Sequence, residues 1–372
     1  MRICFLADAK SWHTTKWLQY FVENGHEVHV IAPDEFWDKR VHSHYVEMIT
    51  LPGDCSLLRF WKSYRKFKAI IRSIKPDVLH AISARHGLFG AMMGFSPLVL
   101  TGLGWDVLHR PKTSLLKKLE TKFILSRVDL STTESVSTQK EMLKYQKKKN
   151  SEIIVFGVDK REFHLDISTE SLRSELRIDG QKVILSPRSM LGNLNIEIIV
   201  RAIPLVLEKI PNSVFVFKYN YGHLQSRMED LARSLGVLQN TRFVGYVGDY
   251  AKVPAYYKIS DVCVSIPSSD STARAWFESI ACGTPLVLSD IPNTHEWFTD
   301  RENAMIVPLR DPAGTAASII EIMENEPLRK KLISNASLLI ETRGDYVQNM
   351  MRMELIYSDL SSPKGNQTAR YH

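Results

Sequence analysis

Short apolar runs alternate with amphipathic stretches along the first half of the chain. Apolar runs of four or five residues predict strands, because a strand buried in a parallel sheet is apolar on both faces. Between the runs, apolar residues recur every three or four positions, which is the spacing of one helix face. The strands predicted here are Arg2–Leu6, Glu27–Ile31, Val78–Ile82, Leu98–Thr101 and Leu130–Thr133, and the first helix is Thr14–Asn24.

The same alternation starts again after a polar stretch at Glu162–Arg173. Two successive doubly wound halves imply a ligand between them, near the carboxyl ends of both sheets. We therefore predict an α/β fold with two Rossmann-like domains that face a cleft. The domains are residues 1–165, to which a C-terminal helix and tail at 345–372 return, and residues 166–344. The second domain's predicted strands are Lys182–Pro187, Ser213–Phe217, Thr241–Val244, Val262–Ile266, Leu286–Ser289 and Ala304–Val307.

Composition supports a globular chain and excludes some classes. A length of 372 residues suits about two domains, and 44% hydrophobic residues is ordinary for a globular protein. No stretch approaches the roughly 18 apolar residues of a membrane span. The four cysteines show neither metal-ligand nor disulfide spacing, which favours a reducing cytosol: Cys4, Cys55, Cys263 and Cys282.

The net charge is +7, and many of the basic residues lie in two amphipathic segments. Between Arg59 and Lys75, basic residues interleave with apolar ones at spacings of three and four. In the second segment, lysines surround three leucines: Lys112, Lys117, Lys118 and Lys122 around Leu115, Leu116 and Leu119. Two interpretations stay open, solvated surface helices or contact with an anionic membrane, where each basic residue contributes about 1 kcal/mol. Nucleic-acid binding is less favoured because no nucleic-acid motif accompanies the charge.

The segment Ser265–Gly283 has the features of an anion site. A strand leads into a loop of small polar residues, and a helix is predicted from Thr272 to Cys282. Backbone N–H groups at the helix start suit a diphosphate. Asp270 and Glu278 can lie up to roughly 12 Å apart at about 1.5 Å per residue, so that one accepts hydrogen bonds from a ribose and the other from a sugar. A capped helix is the alternative, since Asp270 and Ser271 are good N-cap residues.

This segment resembles the acid-x7-acid motif of family 4 glycosyltransferases of the GT-B fold. Other similar stretches are residues 285–292 (PLVLSDIP), 76–80 (PDVLH), 156–159 (FGVD) and 185–188 (LSPR). The resemblance implies a retaining enzyme that moves a sugar from a UDP- or GDP-sugar to a glycan or lipid-linked glycan in cell-surface polysaccharide biosynthesis. It also implies an acceptor-side N-terminal domain and a donor-binding C-terminal domain.

Site residues follow from the same resemblance. Arg188 contacts the donor diphosphate, where a guanidinium stabilises the charge that the leaving group gains. Asp270 holds sugar hydroxyls, and Glu278 holds the ribose. Backbone groups complete the donor site: Ser271, Thr272 and Ala273 at the phosphate and sugar, and Val247 at the nucleobase.

One cation common in the family is missing from this sequence. Asn193 stands where relatives usually have lysine. Lys218, at the end of the next predicted strand, is a candidate substitute, with an ordinary strand-end lysine as the alternative.

The N-terminal domain offers three further candidates. Leu103 stands where many relatives have a histidine, and Asp106 follows it in the same loop. His86 after the third predicted strand and His13 after the first are candidates for donor or acceptor contacts. Structural histidines are the alternative for both.

The sequence contains no Asp-x-Asp, which predicts a metal-independent enzyme whose diphosphate is neutralised by Arg188 and a helix end. No cofactor is expected besides the donor substrate. No residue stands out as an enzymic nucleophile, which favours front-face attack. Two other functions stay open: a sugar-nucleotide 2-epimerase of the same fold, and a non-catalytic binding or scaffold protein. The expected location is the cytoplasm, with peripheral contact at the inner membrane face.

Overall fold

The computed structural model describes residues 1–47, 57–270 and 272–362, with backbone alone for Trp12 and His13. These residues divide into two compact units. The first contains Met1–Val155 and the described chain from Val347 onward, and the second contains Phe156–Tyr346. Each unit is a parallel α/β structure of the Rossmann type, as the alternation of strands and helices predicts.

A seven-stranded parallel sheet forms the first unit. Its strands are β1 Arg2–Leu6, β2 Glu27–Ala32, β3 His42–Tyr45, β4 Val78–Ile82, β5 Leu98–Gly102, β6 Leu130–Thr133 and β7 Ser151–Ile153. They lie in the order β3-β2-β1-β4-β5-β6-β7. The chain reverses its direction of winding between β1 and β4, and such a switch point is where doubly wound sheets bind ligands.

Helices cover this sheet with their apolar faces. They are α1 Trp12–Glu23, α2 Leu57–Ile74, α3 Leu88–Met93, α4 Trp105–Leu108, α5 Leu115–Leu125 and α6 Val136–Tyr145. One buried cluster joins α2, α3 and α5 to the strands through Phe67, Phe89 and Ile124. These three helices therefore lie on the same face of the sheet.

The second unit repeats the plan with six parallel strands. They are β8 Lys182–Ser186, β9 Ser213–Lys218, β10 Thr241–Val244, β11 Val262–Ser265, β12 Leu286–Ser289 and β13 Met305–Val307. The order is β10-β9-β8-β11-β12-β13, which places the switch point between β8 and β11. The helices are α7 Glu170–Glu175, α8 Ile196–Lys209, α9 Gln225–Ser234, α10 Val253–Lys258, α11 Arg274–Ala281, α12 Pro292–His295, α13 Pro312–Glu324 and α14 Glu326–Leu339.

The last helix, α15 Tyr346–Ser361, packs against the first unit from Val347 onward. The Tyr357 ring lies 5.1 Å from the ring of Phe21, and its hydroxyl bonds to Nδ1 of His80. His80 lies on β4, so this bond fastens the helix to the centre of the sheet. The C-terminal helix thus returns to the N-terminal domain, as expected.

The division between the units lies before Phe156 rather than at residue 165. The Phe156 ring packs 5.5 Å from the ring of Tyr346, and Val158 forms a bridge with Asp345. Gly157 has a φ of +67°, and a Cβ there would lie 2.2 Å from the Gly344 carbonyl oxygen. These contacts hold residues from 156 onward in the second unit. The polar stretch used to predict the boundary lies further along the chain and gives no sign of these contacts.

Two strands, β3 and β7, were not predicted. Their sequences are HSHY and SEI, and both lie at an edge of the sheet. An edge strand has a neighbour on one side only and does not need an apolar run, so its sequence carries little signal. All six predicted strands of the second unit are present, with ends shifted by one residue at most. Helix α11 begins at Arg274 rather than at Thr272, so Thr272 and Ala273 precede it.

Within the described ranges, none of the helices has the length and apolar character needed to cross a bilayer. Cys4, Cys263 and Cys282 are buried free thiols, and Cys55 lies outside the described residues.

Candidate functional site

Arg188 and Asp270 meet at the switch point of the second unit. Arg188 follows β8, and Asp270 lies in the loop that follows β11. Because these strands are neighbours in a parallel sheet, their carboxyl ends open onto the same edge. A guanidinium nitrogen (Nη2) of Arg188 lies 2.6 Å from Oδ2 of Asp270, and the side chains are 14% and 20% exposed. The structure thus brings together the residues predicted to bind diphosphate and sugar.

The loop between β8 and α8 holds the loop that contains Asp270. The backbone carbonyl of Asn193 accepts a hydrogen bond from the Ser268 N–H at 2.8 Å. Nδ2 of Asn195 donates to the carbonyl of Ile266 at 2.9 Å. Asn193 therefore contributes its main chain to the loop, and the residue is exposed. It brings no cation to the place where relatives usually have lysine.

Glu278 lies on α11 and is 3% exposed. Its Oε1 accepts from the Tyr250 hydroxyl at 2.9 Å and lies 2.6 Å from Nε of Arg274. Its Oε2 accepts from the Tyr257 hydroxyl at 2.5 Å. A carboxylate offers about four acceptor positions. Among the described residues, three are used, and the remaining position is on Oε2.

The surroundings of Glu278 keep these partners in their hydrogen-bonding forms. Burial and the Glu278 charge raise the pKa of Tyr250 and of Tyr257 well above the usual range, so both hydroxyls remain donors. Burial acts to lower the pKa of Arg274, but Glu278 outweighs it and the pKa is raised. Arg274 therefore remains a cation beside the buried carboxylate.

Lys218 belongs to the same charged group. It is 8% exposed, and its Nζ donates to Oδ1 of Asn220 at 2.7 Å. Burial lowers the pKa of Lys218, with Glu278 acting in the opposite direction and Arg274 adding to the decrease. Lys218 is therefore a buried lysine with Glu278 and Arg274 as charged neighbours, in contrast to an ordinary solvated lysine at the end of a strand.

The remaining residues predicted for the donor site lie in nearby loops. Thr272 and Ala273 are buried just before α11, and Ala273 is its N-cap residue. Val247 is half-buried after β10, the edge strand, and so lies two strands away from β8. Ser271 lies outside the described residues. The ribose, sugar, phosphate and nucleobase roles of these residues stay predictions.

A cavity of about 240 Å³ lies at the switch point of the first unit. Its walls are the loops after β1, β4 and β5, which carry Asp8, His86 and Asp106. Thr14 also lines it and is fully buried, and its hydroxyl has no hydrogen-bond partner among the described residues. His13 is in the first turn of α1 next to this wall, and its side chain lies outside the described set.

His86 is a buried, neutral imidazole. Its Nδ1 donates to the carbonyl of Ile82 at 2.5 Å, which leaves Nε2 to accept from Nε of Arg85 at 3.2 Å. Burial lowers the pKa of His86 to about 4. Both ring nitrogens are thus already bonded, and the low pKa makes His86 a poor base at neutral pH, because a base works best with a pKa near the operating pH.

Asp106 ties two loops of the cavity together. Its Oδ2 accepts from the Ala84 N–H at 2.6 Å, and its Oδ1 accepts from the Leu103 N–H at 2.9 Å. Burial raises the pKa of Asp106, and these hydrogen bonds oppose the increase. Ser83, beside Ala84, has a φ of +82°, a conformation that a serine keeps only when its surroundings hold it there. Asp106 thus shapes the cavity wall.

Arg274, Tyr250 and Tyr257 were not among the predicted site residues. Arg274 precedes Glu278 by four residues on a predicted helix, and this spacing places two side chains on one face. That signal was present in the sequence. The tyrosines lie in and before α10, and only the tertiary structure brings them to Glu278. No group of three or more metal-ligating side chains is placed to hold a metal ion within the part of the chain that the structure describes.

Two family descriptions match most of the chain between them. Residues 168–338 match "Glycosyl transferases group 1", and residues 2–135 match "Glycosyl transferase 4-like".

Individual relatives are more distant. An uncharacterized glycosyltransferase of Methanocaldococcus jannaschii is 28% identical over 189 residues, which cover 50% of this chain and 47% of that protein. A phosphatidyl-myo-inositol mannosyltransferase of Mycolicibacterium smegmatis is 26% identical over 161 residues, 43% of this chain and 40% of that protein. The chain thus spans less than half the length of these relatives.

Among solved structures, Anabaena HepE in complex with UDP superposes with a TM-score of 0.81. The match covers 97% of this chain and 100% of that chain at 16% sequence identity. At this identity the likeness concerns the fold.

Proposed function

We propose that this chain is a glycosyltransferase of the GT-B fold, which transfers a sugar from a nucleotide-diphosphate sugar to an acceptor hydroxyl; two glycosyltransferase family descriptions that match separate parts of the chain support this. The observation that carries this proposal is the pairing of Arg188 with Asp270 at the switch point of the second unit. A guanidinium suited to a diphosphate and a carboxylate suited to sugar hydroxyls lie 2.6 Å apart there. The diphosphate and the sugar are adjacent parts of one donor molecule.

In the proposed reaction, Arg188 binds the diphosphate and stabilises the negative charge that develops on the leaving group. Asp270 accepts hydrogen bonds from the transferred sugar, and Glu278 accepts from the ribose. The bond between the anomeric carbon and the phosphate oxygen breaks, and its electron pair stays with the phosphate. The acceptor oxygen bonds to the same face of that carbon, and its proton passes to the departing phosphate oxygen. The configuration is retained.

We propose that no metal ion is needed at the diphosphate. The sequence contains no Asp-x-Asp, the type of carboxylate pair that would bridge a metal to a diphosphate. Positive charge comes instead from Arg188 and from the buried Arg274 in the same unit. Lys218 is the candidate replacement for the family cation that Asn193 does not supply.

The cavity of the first unit is proposed to hold the reacting sugar or the acceptor. His86 contributes a neutral ring to its wall, and Thr14, whose buried hydroxyl has no hydrogen-bond partner among the described residues, lines the same space. Asp106 keeps the loops after β4 and β5 in place. His13 is proposed to act beside them.

We propose a lipid-linked acceptor that is used at an anionic membrane surface, in cell-surface polysaccharide biosynthesis. Leu115, Leu116 and Leu119 of α5 are 71%, 56% and 52% exposed, and Trp105 is 61% exposed. Lysines surround the leucines in the sequence. Apolar tips with a basic rim suit insertion at a membrane interface. The relative from M. smegmatis has a phosphatidyl lipid in its name, which supports a lipid acceptor. The cytoplasmic face is the proposed location.

Donor binding is tested with UDP- and GDP-sugars in a thermal-shift panel, followed by release of nucleoside diphosphate. A true donor raises the melting temperature by mass action. In Arg188→Ala, turnover is expected to fall about 10²- to 10³-fold, the usual effect of removing one transition-state donor. Arg201→Ala is the matched control, because Arg201 forms an exposed pair with Glu197 in the same unit.

Lack of stabilisation by every sugar nucleotide would contradict the transferase proposal. Full activity in Arg188→Ala would instead refute the site. Conversion of a sugar nucleotide into an isomer without any acceptor would replace transfer by epimerisation.

A further inference from the structure

Three donors on two different segments converge on the buried carboxylate of Glu278. Arg274 lies one turn earlier on α11, Tyr257 lies on α10, and Tyr250 lies in the turn before α10. Such a carboxylate is stable inside a protein only if a cation and hydrogen bonds replace the lost water. The position of Glu278 therefore depends on these three side chains as much as on its own helix.

The partners are divided unequally between the two carboxylate oxygens. Arg274 and Tyr250 both bind Oε1, and Tyr257 alone binds Oε2. The guanidinium of Arg274 also lies 5.5 Å from the centre of the Tyr250 ring, a cation–π distance. These two side chains hold each other as well as Oε1, which makes the filled side of the carboxylate rigid.

Other titratable groups lie around the Glu278 carboxylate. Lys218 on β9 and Arg274 on α11 surround Glu278, with Tyr250 and Tyr257 as neutral donors. The thiols of Cys263 on β11 and Cys282 after α11 are also buried near Glu278, and burial raises the pKa of each to about 12. The thiols are therefore neutral, and Arg274 is the cation in direct contact with Glu278.

We propose that Arg274 is a positioning residue that fills Oε1 of Glu278 together with Tyr250, so that Glu278 binds the donor's ribose through a single hydroxyl at Oε2. This inference rests on the proposed function, because it needs a nucleotide in the second unit. Two ribose hydroxyls bound side by side would need one acceptor position on each oxygen, and Oε1 already has two donors. Nucleotide recognition then depends on one ribose hydroxyl and is indifferent to the other.

The test measures the affinity of the full chain for UDP, 2′-deoxy-UDP and 3′-deoxy-UDP by calorimetry, and for the matching GDP series. In the wild-type protein, one deoxy analogue is expected to bind like its parent. The other is expected to bind about tenfold more weakly, which equals about 1.4 kcal/mol for one lost hydrogen bond to a charged group. Equal weakening of both analogues, or of neither, overturns the inference.

Arg274→Leu is expected to bring the affinities of the two analogues to within about twofold of each other, because Glu278 is no longer held in place and one position on Oε1 is released. Arg274→Lys is expected to restore part of the difference. A purely structural role would lower the melting temperature and leave the affinity ratio unchanged, which would refute the positioning role. Arg201→Leu on α8 is the control for loss of an arginine paired with a glutamate four residues away.

Tyr250→Phe provides a second route if Arg274→Leu does not fold. This variant removes one donor from Oε1 without changing the charge, so the second ribose hydroxyl gains an acceptor position. Both deoxy analogues are then expected to bind more weakly than the parent, whereas an unchanged pattern contradicts the inference. If neither UDP nor GDP binds the wild-type chain, the proposed function fails, and this result differs from binding without hydroxyl selectivity.

Discussion

The two units carry their candidate groups in different ways at equivalent places in the fold. In the first unit, His86 and Asp106 bind main-chain groups, namely a carbonyl and two N–H groups. In the second unit, Asp270 and Glu278 bind side chains, among them arginines and tyrosines. Groups bonded to the main chain hold loops in shape. Side-chain ion pairs hold opposite charges at a place where a charged ligand can exchange with one of them.

This difference predicts separate consequences for stability and for ligand binding. Replacing a group tied to the main chain leaves buried N–H groups without partners, which costs fold stability. Replacing one member of a partly exposed ion pair costs little stability and removes a ligand contact. The following predictions compare the units on that basis.

The largest effect is expected from Asp106→Ala. Two main-chain N–H groups lose their acceptors, the buried one of Ala84 and the half-buried one of Leu103, at about 1–3 kcal/mol each. We expect a decrease of about 3 kcal/mol in the free energy of unfolding, measured by urea denaturation of the full chain. Asp270→Ala in the second unit is the matched variant and is expected to lose about 1 kcal/mol or less. Equal losses in the two variants would remove the distinction between the units.

Acidification is expected to destabilise the first unit selectively. Burial lowers the pKa of His80 to about 3 and that of His86 to about 4, whereas an unfolded histidine titrates near pH 6.5. Between these values the unfolded chain binds more protons, so stability is full above about pH 6.5 and falls as the pH decreases. At pH 5, each histidine is expected to cost about 2 kcal/mol relative to pH 8.

Hydrogen exchange checks where this loss occurs. Protection factors at pH 5 should fall in β4 and β5 before they fall in β8 and β11, because the histidines of the second unit are exposed or half-buried. His80→Asn should be less stable than the wild type at pH 8 and should depend less steeply on pH. Simultaneous loss of protection in both units would show that the histidines do not set the acid limit.

The smallest effect on stability is expected from the exposed leucines of α5. Changing Leu115, Leu116 and Leu119 to serine should leave the melting temperature within about 2 °C, because exposed substitutions usually change stability little. Binding to vesicles with 30% phosphatidylglycerol, measured by flotation, should fall at least tenfold if these leucines insert. Leu338→Ser in the second unit, 55% exposed in the wild type, is the control. Unchanged flotation of the triple variant would favour solvated helices.

Apolar patterning was enough to predict most of the fold. Eleven of the strands have apolar runs that predict them, because a strand inside a parallel sheet buries both faces. The polar edge strands β3 and β7 did not follow this rule and were missed. The predicted helix end at Cys282 lies one residue beyond the observed end at Ala281, and Gly283 follows it with a φ of +74°.

For the candidate site, the sequence indicated Arg188, Asp270 and Glu278 one by one. The sequence did not show which side chains these three residues contact. The pairing of Arg188 with Asp270 needs β8 beside β11, an adjacency that sequence order alone does not specify. Tyr250 and Tyr257 carry no motif and reach Glu278 only through the packing of α10 against α11. The individual roles of these residues toward substrates remain predictions.

The sequence alone determined the fold class, the segment Ser265–Gly283 and the helix within that segment, because local periodicity and short spacings are properties of neighbouring residues. Which charges meet was settled by strand order and helix packing, which join residues as distant as Arg188 and Asp270. Hydrogen bonds depend on fractions of an ångström, and such distances are set only when the whole unit packs. The hydrogen bonds to main-chain groups in the first unit and the side-chain pairs of the second unit are therefore consequences of tertiary structure.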